Sequence, residues 1–375
     1  MNIGFDGKRA ANNLTGLGNY SRSLIAQLAT FFPQNHYFVY TPKRQDKPQI
    51  TSFFTSYPLH LKLPLPGAIK LLWRSFGIKK QLYQDKIELF HGLSQEIPLG
   101  LKSAQQIKTV VTIHDLIYLR YPQYYKAIDR YIYNWKSEYA CKNSDHIIAI
   151  SERTRQDIIE FYHIAPEKIE VIYQSCDDSF KQLASAEACT AVAKKYQLPD
   201  KFMLIVGTIE PRKNLLLLIK ALAQIDPDYK LVVVGKQQAY AQVVHRELER
   251  LGLTDRLIFL EGLPFTDLPL IYQLATLFIY PSHYEGFGIP IIEALYSGTP
   301  VIAATGSCLE EAGGPDSIYV SPDDAEELAI QANRVLGDKA LQALMVEKGL
   351  EYAQRFNHEI LAKQLMACYL KTINS

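Results

Sequence analysis

Two glutamates stand eight positions apart in HYEGFGIPIIEA, His283 to Ala294, with Gly286, Phe287, Gly288, Ile289 and a proline between them. Proline is tolerated in the first turn of a helix, where its missing N–H is not needed. The spacing therefore predicts a helix from about Ile289 or Pro290, closed by Gly298. Glu293 then projects from the first turn, and Glu285 lies in the loop before it. Glycines ahead of a helix N-terminus make an anion site. Ionised carboxylates are pure acceptors and suit hydroxyls. A ligand that carries both kinds of group fits, and a nucleotide-sugar offers a diphosphate and two sets of hydroxyls. From these residues alone, an ordinary loop and helix with a solvated glutamate stands level with that reading.

Three further stretches hold candidate chemistry. In GTIEPRKNLLLLIKAL, Arg212 and Lys213 precede a helix. Arg offers a planar fork of donors and Lys a point charge, and both suit a diphosphate. A solvated pair at a helix start is the alternative, but cations are unfavourable at that end, and the misfit points to function. In TGLGNY, after the first strand, Gly16 and Gly18 permit close backbone approach. The dinucleotide fingerprint wants a third glycine where Ser21 stands, so by itself this is a turn. In TVVTIHDL, His114 follows a strand, where it either bonds a substrate hydroxyl or serves the structure.

The elements that must position these residues alternate strand and helix throughout. NIGFDG, HYFVYT, TVVTIHDL, HIIAISE and IEVIY read as buried strands, with helices such as SRSLIAQLATFF between them. A polar stretch, CDDSFKQLASAEA, follows. The pattern then restarts with KFMLIVGT, YKLVVVG, RLIFLEG, LFIYPS and PVIAA. The class is α/β: two Rossmann-like β/α domains, residues 1–178 and 179–357, facing each other across a cleft. In open α/β sheets ligands bind beyond the carboxyl ends of strands, which is where the candidate residues fall.

The chain's 375 residues suffice for two domains, and 48% of them are hydrophobic. A net charge of +1 argues against a nucleic-acid binder relying on bulk electrostatics. Five scattered cysteines show no zinc spacing and read as reduced thiols of a cytoplasmic protein. MNIGFDGKRAANN reads as a strand and not as a signal peptide. No apolar run approaches a membrane span. The Asp-x-Asp at Asp226 to Asp228 contains proline before a strand and reads as turn chemistry.

Taken together, the chain resembles the GT-B glycosyltransferases, specifically the retaining family four. The resemblance runs in order through the Gly loop (Gly16, Gly18), His114, IIAISERTRQDI, VIYQSCDDSF, GTIEPRKN, FLEGL, YEGFGIPIIEA and GTPVIAA leading to LEEAGG. It implies that Glu293 binds the donor ribose and that Glu285 sits beside the donor sugar. The amides of Phe287, Gly288 and Ile289 face the diphosphate or sugar. Arg212 and Lys213 neutralise the leaving diphosphate, His114 touches the sugar, and Leu263 in FLEGL lies near the base. The last helix, 358–375, returns to the first domain. The resemblance implies retention by a front-face route, with no protein nucleophile, no cofactor and no bound metal. Many members carry Arg where Thr208 stands, so the partition of phosphate contacts between Thr208 and Arg212 is open.

The expected activity is transfer of a hexose from a nucleotide-diphosphate sugar to a glycan or lipid-linked acceptor in polysaccharide biosynthesis. By association the GTIEPRKN variant leans to mannose from GDP-mannose. The alternatives are a nucleotide-sugar sensor without turnover and a hexosamine epimerase of the same fold. From Lys47 to Gln84 the chain has six basic residues and no acidic one. On a helix, Ile69, Leu72, Trp73 and Phe76 would share a face flanked by Lys70, Arg74, Lys79 and Lys80. Peripheral contact with an anionic membrane at its inner face, through residues 61–82, is one expectation; a core-facing helix with a basic rim is the other.

Overall fold

The computed structural model describes residues 1–64, 73–101 and 107–375. Among the described residues, the β-branched and aromatic runs become thirteen short strands, all paired in parallel. Parallel strands cannot be joined by tight hairpins, so a helical crossover separates most of them. One unit comprises Met1–Gln174 together with Asn357–Ser375, and the other comprises Ser175–Phe356.

The N-terminal unit holds β1 (Asn2–Asp6), β2 (His36–Tyr40), β3 (Leu59–Lys62), β4 (Leu89–Gly92), β5 (Lys108–Ile113), β6 (His146–Ala149) and β7 (Ile169–Val171). Their order is β3-β2-β1-β4-β5-β6-β7. Alternation along each strand feeds two cores. Val110 and Ile148 pack on one face with Leu24, Ile25 and Leu28 and with Leu365 and Tyr369 of the last helix, His358–Asn374. Val111 and Ile147 pack on the other face with Cys141, Ile158 and Tyr162. The C-terminal helix therefore completes the core of this unit. Tyr369 adds a buried hydrogen bond to His91 Nδ1 of β4, 2.6 Å.

The C-terminal unit holds β8 (Phe202–Val206), β9 (Lys230–Val234), β10 (Leu257–Leu260), β11 (Leu277–Tyr280), β12 (Val301–Ala304) and β13 (Ile318–Val320), in the order β10-β9-β8-β11-β12-β13. Met203, Ile205, Leu231, Val233, Leu277 and Ile279 pack against Leu218, Leu222, Val244, Leu328 and Val335.

The glycine stretch TGLGNY departs from its reading as a turn. Gly16 and Gly18 both lie inside the helix Gly16–Phe31. Only Gly18 is sterically required, because a Cβ there would sit 1.9 Å from Asn13 O, whereas one at Gly16 would meet nothing within 4 Å. Ile69, Lys70 and Leu72 of the basic stretch lie outside the described residues. Trp73 is buried and donates Nε1–H to Gln81 Oε1, and Arg74 is held inward by Asp6 and Glu96. Neither belongs to an outward membrane face, because burying an aromatic and pairing a cation both outweigh exposure. Phe76 remains exposed. No described helix is long and apolar enough to cross a membrane.

Candidate active site

The second sheet reverses its winding direction between β8 and β11, which places a crevice beyond the carboxyl ends of these strands. The chain leaves β8 through Gly207 and Thr208 and makes a tight turn over Pro211–Lys213. Asn214 closes the turn in the left-handed conformation, φ +57°. Its side chain donates to Pro281 O, 3.1 Å, and Pro322 O, 2.7 Å. Those bonds fix the turn against the chain leaving β11, where His283 N–H also donates to Arg212 O, 2.9 Å.

Arg212 and Lys213 converge there on Glu285. Arg212 Nη1 lies 2.7 Å from Glu285 Oε2, and Lys213 Nζ lies 2.7 Å from Glu285 Oε1. Arg212 also pairs with Glu210, 2.7 Å, and donates to Tyr284 O. Lys213 donates to Tyr280 Oη, 2.5 Å, at the end of β11. All three charged side chains at the centre are largely buried, which excludes a solvated pair. Burial alone would raise the Glu285 carboxyl; Lys213 and Arg212 outweigh it and bring the group to about 2. Burial pushes Lys213 down, but Glu285 reverses this and the ammonium is held above the ordinary lysine range. Glu285 thus meets two cations at once, with Glu210 pairing Arg212 a second time, and burial with Glu285 pushes the Tyr280 hydroxyl to about 12.

The helix after the glycines runs Ile289–Tyr296, with Gly288 at its N-cap and Gly298 just beyond its end at φ +71°. Glu293 falls in its second turn, not its first. Tyr272 Oη donates to Glu293 Oε2, 2.9 Å. Burial, reinforced by Asp177, raises the Glu293 carboxyl to about 7 despite the Tyr272 hydroxyl. The two glutamates are therefore opposite in character, one held ionised by cations and the other half-protonated at neutral pH. Cys308 Sγ ties the loop from below, donating to Glu285 O, 3.0 Å, and Phe287 O, 2.9 Å. The Phe287 ring is buried edge-on to Phe356.

Two family models match in tandem: "Glycosyltransferase Family 4" over residues 14–180 and "Glycosyl transferases group 1" over residues 191–352. The chain belongs to the family 4, group 1 glycosyltransferases. It is 28% identical to O-antigen chain mannosyltransferase B of Escherichia coli over 95% of this chain and 96% of that one. It is 31% identical to the serotype-specific mannosyltransferase WbdA of Escherichia coli over 72% of this chain, but spans only 34% of that longer protein. Its fold matches the crystal structure of Anabaena HepE in complex with UDP and glucose, with TM-score 0.77 and 19% identity over 99% of this chain and 100% of that one. Each half is thus the Rossmann-like domain of a GT-B glycosyltransferase.

Within this glycosyltransferase, the C-terminal unit brings together Thr208, Arg212, Lys213, Glu285 and the Gly286–Ile289 run. Thr208, Lys213 and Tyr280 line a small pocket floored by Gly207 and Ile209. Gly288 adopts φ +133°, and a Cβ there would lie 3.1 Å from Ala312 Cβ. Leu263 follows β10 after Gly262, partly buried. Tyr280, Glu210 and Tyr272 escape sequence reasoning. The one signal for Tyr280 is its place at the carboxyl end of a predicted strand.

In the N-terminal unit His114 directly follows β5 and is buried. Its Nε2 lies 2.9 Å from Leu93 O, so Nε2 carries the proton and Nδ1 keeps an acceptor lone pair. Burial holds the ring down to about 4, neutral at physiological pH. Tyr20 packs edge-on to it with centroids 4.6 Å apart.

Among the described residues, one group has ligand atoms close enough to hold a metal: His146, Glu170 and Cys368, within 4.8 Å of one another in the N-terminal unit. Its His146 Nε2 stands 3.4 Å from Glu170, and burial raises the Cys368 thiol to about 12. Such a thiol is protonated and a weak ligand. Asp226 and Asp228 form a turn, with Asp226 Oδ1 accepting the Asp228 N–H, 2.9 Å.

Proposed function

We propose that this chain transfers a hexose, with mannose from GDP-mannose the leading candidate, to a glycan or lipid-linked acceptor in polysaccharide assembly. Transfer proceeds with retention and without a bound metal. The observation that carries the proposal is the convergence of Arg212 and Lys213 on Glu285 at the switch point of the C-terminal sheet. The donor diphosphate binds there and takes up the donors of these two cations. As the bond to the sugar breaks, charge grows on the leaving phosphate, and fixed cations in a water-poor site stabilise it. They supply the positive charge that a metal supplies in other transferases.

Glu285 is unsuited to act as nucleophile or base, because two cations hold it near 2. Its role is to orient Arg212 and Lys213 and to meet the donor sugar. That agrees with a front-face route, in which the leaving phosphate takes the acceptor proton. Glu293 accepts from the ribose hydroxyls, and the Gly286–Ile289 run approaches the phosphates at the start of its helix. Leu263 lies toward the base. The neutral His114, with a free Nδ1, accepts from a sugar hydroxyl. The names of the mannosyltransferase relatives support the choice of sugar and pathway. Peripheral contact with an anionic membrane retains Phe76, Lys79 and Lys80 as its supports, without Trp73 and Arg74.

The test is thermal stabilisation by GDP, UDP, dTDP, CDP and ADP, with and without EDTA. It is followed by donor turnover with NMR assignment of the product anomer. One diphosphate that raises the melting temperature in wild type but not in Glu293→Ala, then turnover with retention unaffected by EDTA, is the expected result. Binding without turnover would leave a sensor. No shift with any nucleotide would remove the donor site from this crevice.

A further inference from the structure

Strands β6 and β7 pair in parallel, with Ile148 opposite Glu170. Side chains alternate between the two faces of a strand. His146 therefore shares the face of Ile148, and Glu170 shares that of Ile172, just past the end of β7. Ile148 and Ile172 pack in one core with Leu365, Met366, Cys368 and Tyr369 of the last helix, His358–Asn374. The helix thus delivers Cys368 onto the two polar side chains beside those isoleucines. One ligand atom from each of His146, Glu170 and Cys368 falls within 4.8 Å of the other two.

The group is poorly satisfied by its own contacts. His146 is buried, and its Nε2 makes no hydrogen bond among the described residues. A buried ring nitrogen left unpaired costs free energy. Glu170 Oε2 stands 3.4 Å from it. In a tetrahedral zinc site, bonds of about 2.0–2.3 Å set neighbouring ligand atoms about 3.3–3.6 Å apart. The His146–Glu170 separation already matches that edge, and Cys368 closes the triangle by a shift of about 1 Å. Lys371 also reaches Glu170, at 3.9 Å, but its side chain is 64% exposed, and such a contact yields at little cost.

We infer that His146, Glu170 and Cys368 bind a borderline-soft divalent cation of the zinc class, with water as the fourth ligand, and that this cation clamps the last helix to β6 and β7. An imidazole nitrogen, a thiolate and a carboxylate are ligand types that zinc accepts together. The thiol is a weak ligand only while it keeps its proton. As the metal–sulfur bond forms, the S–H bond breaks and the proton passes to solvent, with no change of oxidation state. His146 is the first residue of β6, at the amino end of the strand, whereas ligands of open α/β sheets bind beyond the carboxyl ends. The cation therefore serves the fold and takes no part in transfer, and chelation leaves turnover unchanged below the melting temperature. Neither the donor nor the acceptor enters the inference.

The experiment titrates Co²⁺ and Zn²⁺ into reduced, chelator-stripped, nucleotide-free protein. Wild type is compared with Cys368→Ser, His146→Gln and Glu170→Gln, and with Cys189→Ser, which removes the one cysteine that is not buried. Glu170 is partly exposed, so Glu170→Gln keeps the test available where a core substitution disturbs folding. One Co²⁺ per chain, with a thiolate-to-cobalt charge-transfer band and tetrahedral d–d bands, is the expected result. The charge-transfer band vanishes in Cys368→Ser and persists in Cys189→Ser. Affinity falls at least about tenfold in His146→Gln and in Glu170→Gln. Zn²⁺ at about a hundredfold above its Kd raises the wild-type melting temperature by about 5–10 °C and slows amide exchange over residues 361–374. In Glu170→Gln at the same Zn²⁺ concentration the thermal shift shrinks by about half or more.

The inference falls on any of four results. No binding of either metal by wild type would remove the site. A charge-transfer band that survives Cys368→Ser would assign the metal to another cysteine. Binding that all three ligand variants retain unchanged would be an adventitious ion only. Zn²⁺ binding that leaves exchange in the last helix unaltered would remove the clamp.

Discussion

Glu293→Gln is expected to make the protein more stable and a poorer nucleotide binder at once. In the folded protein the Glu293 carboxyl is raised from 4.5 to about 7, chiefly by burial. In the unfolded chain it ionises near its ordinary value. Below pH 4.5 both states hold the proton and the residue costs nothing. Between about pH 4.5 and 7 the unfolded chain releases its proton first, so the native state loses ground, and above pH 7 the loss is complete. At about 1.4 kcal/mol for each pH unit separating the folded and unfolded values, the full penalty is about 3 kcal/mol. Glu293 keeps some exposure, and solvent screening reduces this to about 2 kcal/mol.

Glutamine can keep the bond from Tyr272 through its carbonyl and carries no charge. The gap between variant and wild type should therefore be near zero at pH 4, open across pH 4.5–7 and level off at about 4–8 °C in melting temperature for a domain of this size. Thermal melts of both proteins at half-unit pH steps measure it. A difference that is constant with pH, or largest in acid, would refute the argument that Glu293 is strained by ionisation. Nucleoside diphosphate affinity, measured alongside, should fall in the variant, because an amide is a weaker acceptor for ribose hydroxyls.

Other perturbations separate the parts of the site. Tyr272→Phe removes the bond that favours the ionised Glu293, so the upper end of the pH window should move above about 7 while its lower end, set by the unfolded chain, stays near 4.5 in the same melts. Glu285→Ala leaves the buried Lys213 without its carboxylate and Arg212 with Glu210 alone, and should cost about 3–5 kcal/mol in urea unfolding; inorganic pyrophosphate should restore more of that loss than it adds to wild type. Lys213→Ala should lower kcat about a hundredfold with a smaller effect on donor Kd, seen in single-turnover assays. Gly18→Ala should destabilise through its clash with Asn13 O, whereas Gly16→Ala should be neutral or stabilising by about 0.5 kcal/mol, from helix propensity.

Ten of the thirteen described strands are legible in the sequence because buried parallel strands are written as uninterrupted β-branched runs, such as KLVVV and HIIA; β3 and β4, LHLK and LFHG, hold no β-branched residue, and β13, IYV, is only three residues long. The PRKN turn and the glutamates are legible because their charges break an otherwise apolar pattern at strand ends. Tyr280 and Tyr272 are not, since a tyrosine inside LFIY or LIYQL looks like any core aromatic until its hydroxyl is placed. Arg74 misleads for a different reason. Its partners, Asp6 and Glu96, are 68 and 22 residues away in the chain, and local helical spacing carries no trace of an ion pair closed across the fold. Gly16 and Gly18 read identically in sequence; only the position of the Asn13 carbonyl separates them.

The helix His358–Asn374 has a consequence for how the protein is made. The core of the N-terminal unit includes Leu365, Met366 and Tyr369, so on the ribosome the first domain begun is the last one finished. Ser175–Phe356, synthesised as an insert, has every strand of its own sheet before Asn357 is reached and can close while the earlier half waits with one face of its sheet covered only in part, by the helix Gly16–Phe31. Truncation by a single turn or two at the C-terminus should therefore unravel the beginning of the protein and spare its middle, and a nascent chain stalled before Tyr369 would expose to chaperones the apolar face of β1, β4 and β5.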